Sequence, residues 1–192
     1  MVDNILKKNV LGKKNITKII KAYEILIEEM EKPISELIEK KKSINIKELL
    51  KSIKRDPINV GPYKNVSLFE AANRIMTDLV ILYGINDLLS NKYEKIEFSK
   101  YTVQYGNSNT NSFDIIAKNY DSILIGEAFN VSPSYFKTKR NKSINKLNKG
   151  DKITINGKEI IVKERKIIKI LIYNSDAIDP KDNKPITVEI LP

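Results

Sequence analysis

The chain of 192 residues contains no cysteine, no histidine and no tryptophan. Without cysteine it has no disulfide, no thiol nucleophile and no thiolate site for zinc or iron–sulfur clusters. Without histidine, Ser-His-Asp hydrolysis, histidine general bases and histidine-ligated metals are excluded. An enzyme of this composition must use carboxylates, Lys, Arg, Tyr, Ser or a hard cation. Because hard cations prefer oxygen ligands, Mg²⁺ held by Asp and Glu fits best.

Long apolar runs are also missing. No stretch approaches 18 uninterrupted apolar residues, and residues 1–15 lack the apolar segment of an export signal. We therefore expect a cytoplasmic protein with no membrane partner.

Positive charge, in contrast, is abundant. The chain has 34 Lys and Arg against 24 Asp and Glu, a formal net charge of +10. Residues 61–130 carry 6 basic and 8 acidic side chains, whereas residues 131–192 carry 14 and 7. This distribution fits carboxylates that hold a metal beside basic flanks that hold phosphates, although a solvated basic surface explains it equally well.

The N-terminal third has the apolar pattern of helices. Apolar side chains recur at alternating spacings of four and three, at Ile16, Ile20, Tyr23, Ile27, Met30, Ile34 and Leu37. The spacing predicts a coiled-coil-like seam that packs either on the protein's own core or on a second copy, and Pro33 should kink or split the helix. A second helix is predicted over 45–54, and residues 55–63 have the composition of a linker.

A strong helix start follows at Ser67, which forms a capping box with Glu70. The predicted helix ends at Gly84 as its C′ residue. Alternation over 94–105, and the apolar segments Phe113–Ala117 and Ser122–Phe129, predict three strands.

The rest of the chain predicts a helix, a hairpin and two more strands. Ser132 and Pro133 open a helix that runs to about Asn148, and Asn156-Gly157 predicts a type I′ hairpin turn. Residues 166–173 are almost continuously apolar, which indicates a central strand, and the last residues indicate an edge strand. We expect an α/β fold with an N-terminal helical region over 1–60 and an α/β domain over 61–192.

Two carboxylates stand out in the predicted strands. Asp114 is flanked by Phe113, Ile115 and Ile116, and an acid in such a strand is costly unless it is paired or liganded. Glu127 lies near the end of the next strand. Because strands joined by a tight turn are neighbours in a sheet, both side chains can reach one edge and hold Mg²⁺ there. The alternative is that each is an ordinary strand-end acid.

This arrangement resembles the PD-(D/E)XK nuclease superfamily, the restriction-endonuclease-like fold, over roughly residues 67–173. The resemblance implies that Asp114 is the Asp of the motif and that Glu127-Ala128-Phe129 is its Glu-x-Lys triplet. It also implies that Glu70 matches the acid that some members carry on the leading helix, although the capping box explains Glu70 by itself.

The sequence departs from the motif at Phe129, which stands where the family has its catalytic Lys. Some members supply that cation from a neighbouring helix, so the resemblance implies Lys139 or Lys137 in this role. The expected nucleic-acid contacts come from the segment after Glu127 and from the following helix, and they are Asn130, Lys137, Lys139, Arg140 and Lys142. A solvated helix face is the alternative for the basic cluster.

The resemblance therefore implies a Mg²⁺-dependent endonuclease, with Mn²⁺ as a substitute, that hydrolyses DNA phosphodiester bonds. Small chains of this kind resemble type II restriction endonucleases, which act as homodimers on two-fold DNA sites. One alternative is a non-catalytic nucleic-acid-binding module with a degenerate nuclease fold, which Phe129 favours. Another is an interaction protein whose helical arm binds a partner.

Overall fold

The computed structural model describes residues 5–40, 45–90, 92–93, 96–106, 110–149, 152–160, 162 and 165–192. Its α-helices are α1 (Ile16–Glu29), α2 (Glu31–Lys40), α3 (Ile46–Arg55), α4 (Leu68–Leu89) and α5 (Pro133–Asn148). Its strands are β1 (Val10–Gly12), β2 (Pro57–Val60), β3 (Tyr63–Ser67), β4 (Lys100–Val103), β5 (Ile115–Lys118), β6 (Ser122–Phe129), β7 (Ile153–Ile155), β8 (Lys158–Ile160), β9 (Lys166–Asn174) and β10 (Ile186–Ile190). The predicted α/β class is confirmed.

A mixed six-stranded sheet forms the centre, in the order β1-β4-β5-β6-β9-β10. Strands β6 and β9 are parallel, and the other neighbours are antiparallel. Helix α5 connects the parallel pair, as such a crossover requires. The predicted central strand is confirmed as β9, and the predicted edge strand as β10.

Helix α4 is longer than predicted, because it continues through Gly84 to Leu89. The prediction that Gly84 ends the helix is wrong, and close packing explains the glycine instead. A Cβ at residue 84 would lie 2.6 Å from Cγ2 of Ile172 in β9 and closer still to its Cδ1. Gly84 therefore lets the helix backbone sit directly on the sheet.

Helix α1 packs on α4 inside the protein. Its buried side chains are Ile16, Ile19, Ile20, Ala22, Tyr23 and Leu26. The predicted helical seam is thus intramolecular along α1, while Ile27 and Ile34 are about two-fifths exposed. The predicted split near Pro33 is confirmed, since α1 ends at Glu29 and Pro33 lies in the first turn of α2, where its missing N–H costs nothing.

The predicted linker over 55–63 is wrong. Strands β2 and β3 form an antiparallel hairpin there, and Val60 and Tyr63 are buried in the main core. The turn contains Gly61 at φ 47°, and Asn65 in β3 has φ 56°. The predicted boundary between residues 60 and 61 falls in this turn, and the division into two regions stays a prediction.

The opposite face of the sheet carries α5 and a second apolar cluster that includes Phe113, Ile125, Phe129, Leu147 and Leu171. The predicted bounds of β6 and α5 are confirmed. The type I′ turn is confirmed too, because Asn156 and Gly157 both have positive φ between β7 and β8.

The alternating segment 94–105 contains a shorter strand than predicted, namely β4, and residues 94 and 95 lie outside the described part of the chain. None of the described helices combines the length and the apolar character needed to cross a membrane.

Candidate active site

Asp114 and Glu127 meet at one end of the β5–β6 pair, as predicted. Their strands pair Ile115 with Gly126, so the register places Asp114 opposite Glu127, one residue beyond the ladder. Asp114 precedes β5 and is not inside a strand, which corrects the prediction. There its Oδ2 accepts a hydrogen bond of 3.0 Å from the backbone N–H of Ala128, which a position within the ladder would not allow.

Both carboxyl groups are held in a poorly solvated environment. Glu127 is only 5% exposed, and burial raises its pKa to about 7, with a further contribution from the negative charge of Asp114. Burial also raises the pKa of Asp114, while the Ala128 N–H and the charges of Lys146 and Lys139 act in the opposite direction. Burial therefore disfavours the charged form of both acids, and a nearby positive charge favours it.

Lys146 of α5 supplies a cation to this pair. Its Nζ lies 2.6 Å from Oε1 of Glu127 and 5.6 Å from the ring centroid of Phe113. Lys139 is farther away, with its Nζ 5.9 Å from the ring centroid of Phe129, but its charge also acts on both carboxyl groups. The structure thus brings Lys139 near the carboxylates and leaves Lys137 exposed elsewhere on α5.

Phe129 packs as a core residue at the motif's Lys position. It is 2% exposed, and its ring stacks on Tyr173 at a centroid distance of 5.6 Å and contacts Phe136 at 6.1 Å. Strand alternation puts Phe129 on the same face of β6 as Glu127. A lysine there would bury its ammonium among these rings, whereas Lys146 and Lys139 bring their ammonium groups to this face from α5.

Glu127 opens into a cleft of about 960 Å³ beside α5. We call it the α5 cleft and define it by its lining residues, which are Ser112, Phe113, Glu127, Thr138, Lys139, Asn141, Lys142, Ser143, Asn145, Lys146, Lys149 and Lys152. This described lining combines five lysines with one carboxylate, so the cleft is strongly electropositive around Glu127.

The other predicted nucleic-acid contacts divide between the cleft and its surroundings. Lys142 lines the α5 cleft. Arg140 lies on another face of α5, where its Nε donates a 3.0 Å hydrogen bond to Glu189 and its Nη2 forms an ion pair with the same carboxylate. Asn130 directly follows β6 and is half-buried outside the lining. The structure therefore does not bring Arg140 and Asn130 to the carboxylate pair.

Glu70 lies at the start of α4, away from the α5 cleft. Its backbone N–H donates a 3.1 Å hydrogen bond to Oγ of Ser67, which is half of the predicted capping box. Its carboxylate instead forms a 2.5 Å ion pair with Arg74, and both residues line a separate depression beside Gly106. The structure thus places Glu70 in a helix cap and an ion pair.

Asp78, two turns further along α4, was missed by the sequence reasoning. It is fully buried and accepts hydrogen bonds from the hydroxyls of Tyr23 (2.9 Å) and Tyr63 and from the N–H of Gly106 (3.1 Å). Burial raises its pKa to about 7, although the hydrogen bonds from Tyr63, Gly106 and Tyr23 act in the opposite direction. Its signal in the sequence is a lone acid inside an otherwise apolar helix, which is costly without partners.

The carboxylate oxygens of Asp114 and Glu127 suit a hard cation such as Mg²⁺. No hydrogen bond among the described residues uses Oδ1 of Asp114 or Oε2 of Glu127, and carboxylate oxygens are the ligands that Mg²⁺ prefers. Within the described residues, no three acidic side chains cluster closely enough to hold a metal together. A cation here would rely on these two carboxylates together with water and substrate oxygens, which is common for Mg²⁺.

Comparisons with known proteins give no relative. No family model matches the chain, and no curated protein or solved structure is significantly similar to it. The site must therefore be interpreted from its own geometry.

Proposed function

We propose that this protein is a Mg²⁺-dependent endonuclease that hydrolyses DNA phosphodiester bonds, with a restriction-endonuclease-like core whose catalytic lysine comes from α5. One observation carries the proposal. Lys146 contacts Glu127, and Glu127 lies opposite Asp114, at the floor of an electropositive cleft. Two acids and one lysine are the residue types that the PD-(D/E)XK resemblance implies.

The order of elements supports the same proposal. Helix α4 leads into the antiparallel strands β4, β5 and β6, after which α5 crosses over to the parallel strand β9. One acid comes from the residue before β5 and the other from near the end of β6, and the lysine comes from the crossover helix. In this proposal Lys146 takes the role of the motif's lysine, whose position in the chain is occupied by Phe129. A cation therefore lies beside Glu127, and Phe129 remains in the aromatic core.

Each side chain has a distinct role in the proposed reaction. Asp114 and Glu127 would hold Mg²⁺, which when bound lowers the pKa of a coordinated water and offsets the charge of the phosphate. Lys146 can donate a hydrogen bond to a phosphate oxygen as negative charge develops. The ring of Phe113 lies 5.6 Å from Lys146 Nζ, and this cation–π contact helps to hold the ammonium beside Glu127.

Supercoiled and phage DNA incubated with the protein and Mg²⁺ or Mn²⁺ test the proposal. We expect cleavage that disappears in Asp114→Asn, Glu127→Gln and Lys146→Met. Loss of one electrostatic catalytic group costs about 10²–10³-fold in rate. Two matched controls lie at the opposite end of the β5–β6 hairpin, Asp121→Asn and Lys118→Met, and should cut normally. Absence of cutting by the unmodified protein in both metals would refute the nuclease.

The alternative function is a nucleic-acid-binding module that does not cut. Two observations favour it, namely the 2.6 Å ion pair that already neutralises Glu127 and the lack of a third acid close to the pair in the described residues. Such a module would retain DNA in chelator with a steep dependence on salt and would never release fragments.

Our proposal includes a homodimer that matches a two-fold DNA site, as the resemblance implies. Helices α2 and α3 provide apolar surface for it, because Ile34, Ile38, Ile46 and Leu50 are 39–59% exposed. Sedimentation equilibrium tests this part, and a monomer at high protein concentration would remove the dimer from the proposal.

A further inference from the structure

Helix α5 presents a row of lysines that extends well beyond the carboxylate pair. Lys139, Lys142, Lys146 and Lys149 recur at spacings of three, four and three, so they share one face of the helix. All four line the α5 cleft. With a rise of 1.5 Å per residue, the row is about 15 Å long.

The charge of this row is poorly compensated. Lys142 and Lys149, on either side of Lys146, are exposed and form no ion pair with any described residue. Lys152 continues the positive surface at the end of the cleft, with Glu159 3.7 Å away and both side chains well exposed. On another face of the same helix, the charge of Arg140 is neutralised by Glu189. Uncompensated positive charge is therefore concentrated towards the cleft.

Neutral hydrogen-bonding groups accompany the lysines. Thr138, Asn141 and Asn145 follow a parallel row, with spacings of three and four, and they also line the cleft. All three side chains are exposed. Hydroxyl and amide groups beside lysines are the groups with which proteins contact phosphate and sugar oxygens.

We propose that the phosphate backbone of one DNA strand runs along α5 in this cleft, with Lys142 and Lys149 holding phosphates on either side of the one at Lys146. This inference rests on the proposed function and adds to it the substrate-binding surface and the direction of the strand. One strand of duplex DNA carries a phosphate about every 3.4 Å of helix axis. A row of about 15 Å is long enough for several successive phosphates of one strand, which a polymer can occupy and a single phosphate cannot.

The test is the salt dependence of DNA binding in chelator, so that cutting does not interfere. We would measure binding of a short duplex by fluorescence anisotropy between about 50 and 200 mM salt. Each lost phosphate contact lowers the slope of log K against log salt by about 0.9. Lys142→Gln with Lys149→Gln should therefore lose almost two units of slope.

The matched control is Lys47→Gln with Lys54→Gln on α3. These lysines are also exposed and form no ion pair among the described residues, and they line a different depression. The two double variants have the same net charge, so an equal loss of slope in both would show a general effect of charge and would overturn the inference. Thermal unfolding of each variant checks that the fold is unchanged.

The outcomes also separate this inference from the nuclease. The salt dependence could become less steep in Lys142→Gln with Lys149→Gln while the unmodified protein cuts no DNA. This result would support the DNA-binding surface along α5 and refute the nuclease function. Cutting with an unchanged slope in the cleft variant keeps the nuclease and overturns the surface. If inorganic phosphate competed as effectively as the duplex, the inference that the cleft binds a polymer would be overturned. If RNA bound more tightly than DNA, the assignment of that polymer as DNA would be overturned.

Discussion

Buried carboxyl groups concentrate the chemistry of this protein at a few residues. Glu127 and Asp78 are both deeply buried, and burial raises the pKa of each to about 7. Their surroundings differ, however. Glu127 faces a lysine and an open cleft, whereas Asp78 is enclosed by two tyrosine hydroxyls and a backbone amide. Glu127 is therefore accessible to a ligand, as the proposed function requires, whereas the hydrogen bonds of Asp78 hold α4 to its neighbours inside the core.

Asp78 should make the protein less stable as the pH rises. Because the pKa is about 7 in the folded protein and 3.8 ordinarily, the folded state binds more protons between these values. The contribution of Asp78 to the free energy of unfolding is then fully present below about pH 4 and is lost as the pH rises towards 7, at up to about 1.4 kcal/mol per pH unit. Asp78→Asn keeps a carbonyl acceptor for the tyrosines and should flatten this slope.

Urea unfolding at several pH values measures the effect. Glu127→Gln should also make the free energy of unfolding fall less steeply with pH, because the pKa of Glu127 is raised as well. An Asp78→Asn protein whose stability falls with pH as steeply as that of the unmodified chain would contradict the assignment.

At the scale of elements, α5 performs two tasks with two faces. Phe136 and Leu147 pack on the sheet, and the lysine row lines the α5 cleft. Helix α4 has the opposite character, because it is apolar on most sides and is clamped between α1 and the sheet. The candidate site thus lies where the half-exposed helix α5 crosses the end of β6. The buried helix α4 packs on the other face of the sheet.

The close approach of α4 to the sheet predicts an unusual sign for one substitution. Replacing a mid-helix glycine with alanine normally stabilises a helix by about 1 kcal/mol. Gly84→Ala should instead destabilise the protein by about 1–3 kcal/mol, because the new methyl group overlaps Ile172. Chemical denaturation measures this.

A double-mutant cycle with Ile172→Ala is the control. If the clash is the cause, shortening Ile172 should make Gly84→Ala less costly, so the two substitutions should be strongly non-additive. Additive effects, or a stabilised Gly84→Ala protein, would show that helix and sheet are not in this close contact.

Local sequence patterns predicted the elements that carry the site, since β6 and α5 have the bounds that the apolar segment Ser122–Phe129 and the helix start at Ser132 and Pro133 indicate. They failed where tertiary packing decides. Gly84 is a residue type that is typical of helix ends, but here it allows close contact between α4 and the sheet. The segment 55–63 has linker composition but forms a hairpin with buried Val60 and Tyr63.

The candidate site was predictable only in part. Asp114 and Glu127 were found because acids in apolar strands are rare and adjacent strands bring them together. The partner of Glu127 was expected one to two turns into α5, whereas Lys146 lies nearly four turns in, because the angle at which a helix crosses a sheet is not written in local spacing. The available signal for Lys146 was its seven-residue spacing from Lys139, which places both side chains on the same face of α5.

At the scale of the whole molecule, the two carboxylates predict stabilisation by divalent cations. A ligand that binds only the folded state at about 100 times its Kd stabilises by about 2.7 kcal/mol. We therefore expect Mg²⁺ to raise the unfolding temperature, and Asp114→Asn and Glu127→Gln to abolish the rise. Lys146→Met should enlarge it, since the ammonium competes for Glu127.

Differential scanning fluorimetry with a Mg²⁺ series measures this, with Asp121→Asn as the control at the far end of the hairpin. An equal rise for the unmodified protein and for Glu127→Gln would place the cation elsewhere.

The position of β9 has a consequence for how the chain is made. This strand lies between β6 and β10, its Ile172 fits under Gly84, and its Tyr173 stacks on Phe129. A ribosome delivers residues 166–174 after β6 and both helices that flank it. Until then one edge of β6 is unpaired and the part of α4 that packs on β9 is uncovered, so the nascent chain exposes apolar surface in this interval. A pause in translation between β6 and β9 should therefore prolong this exposure.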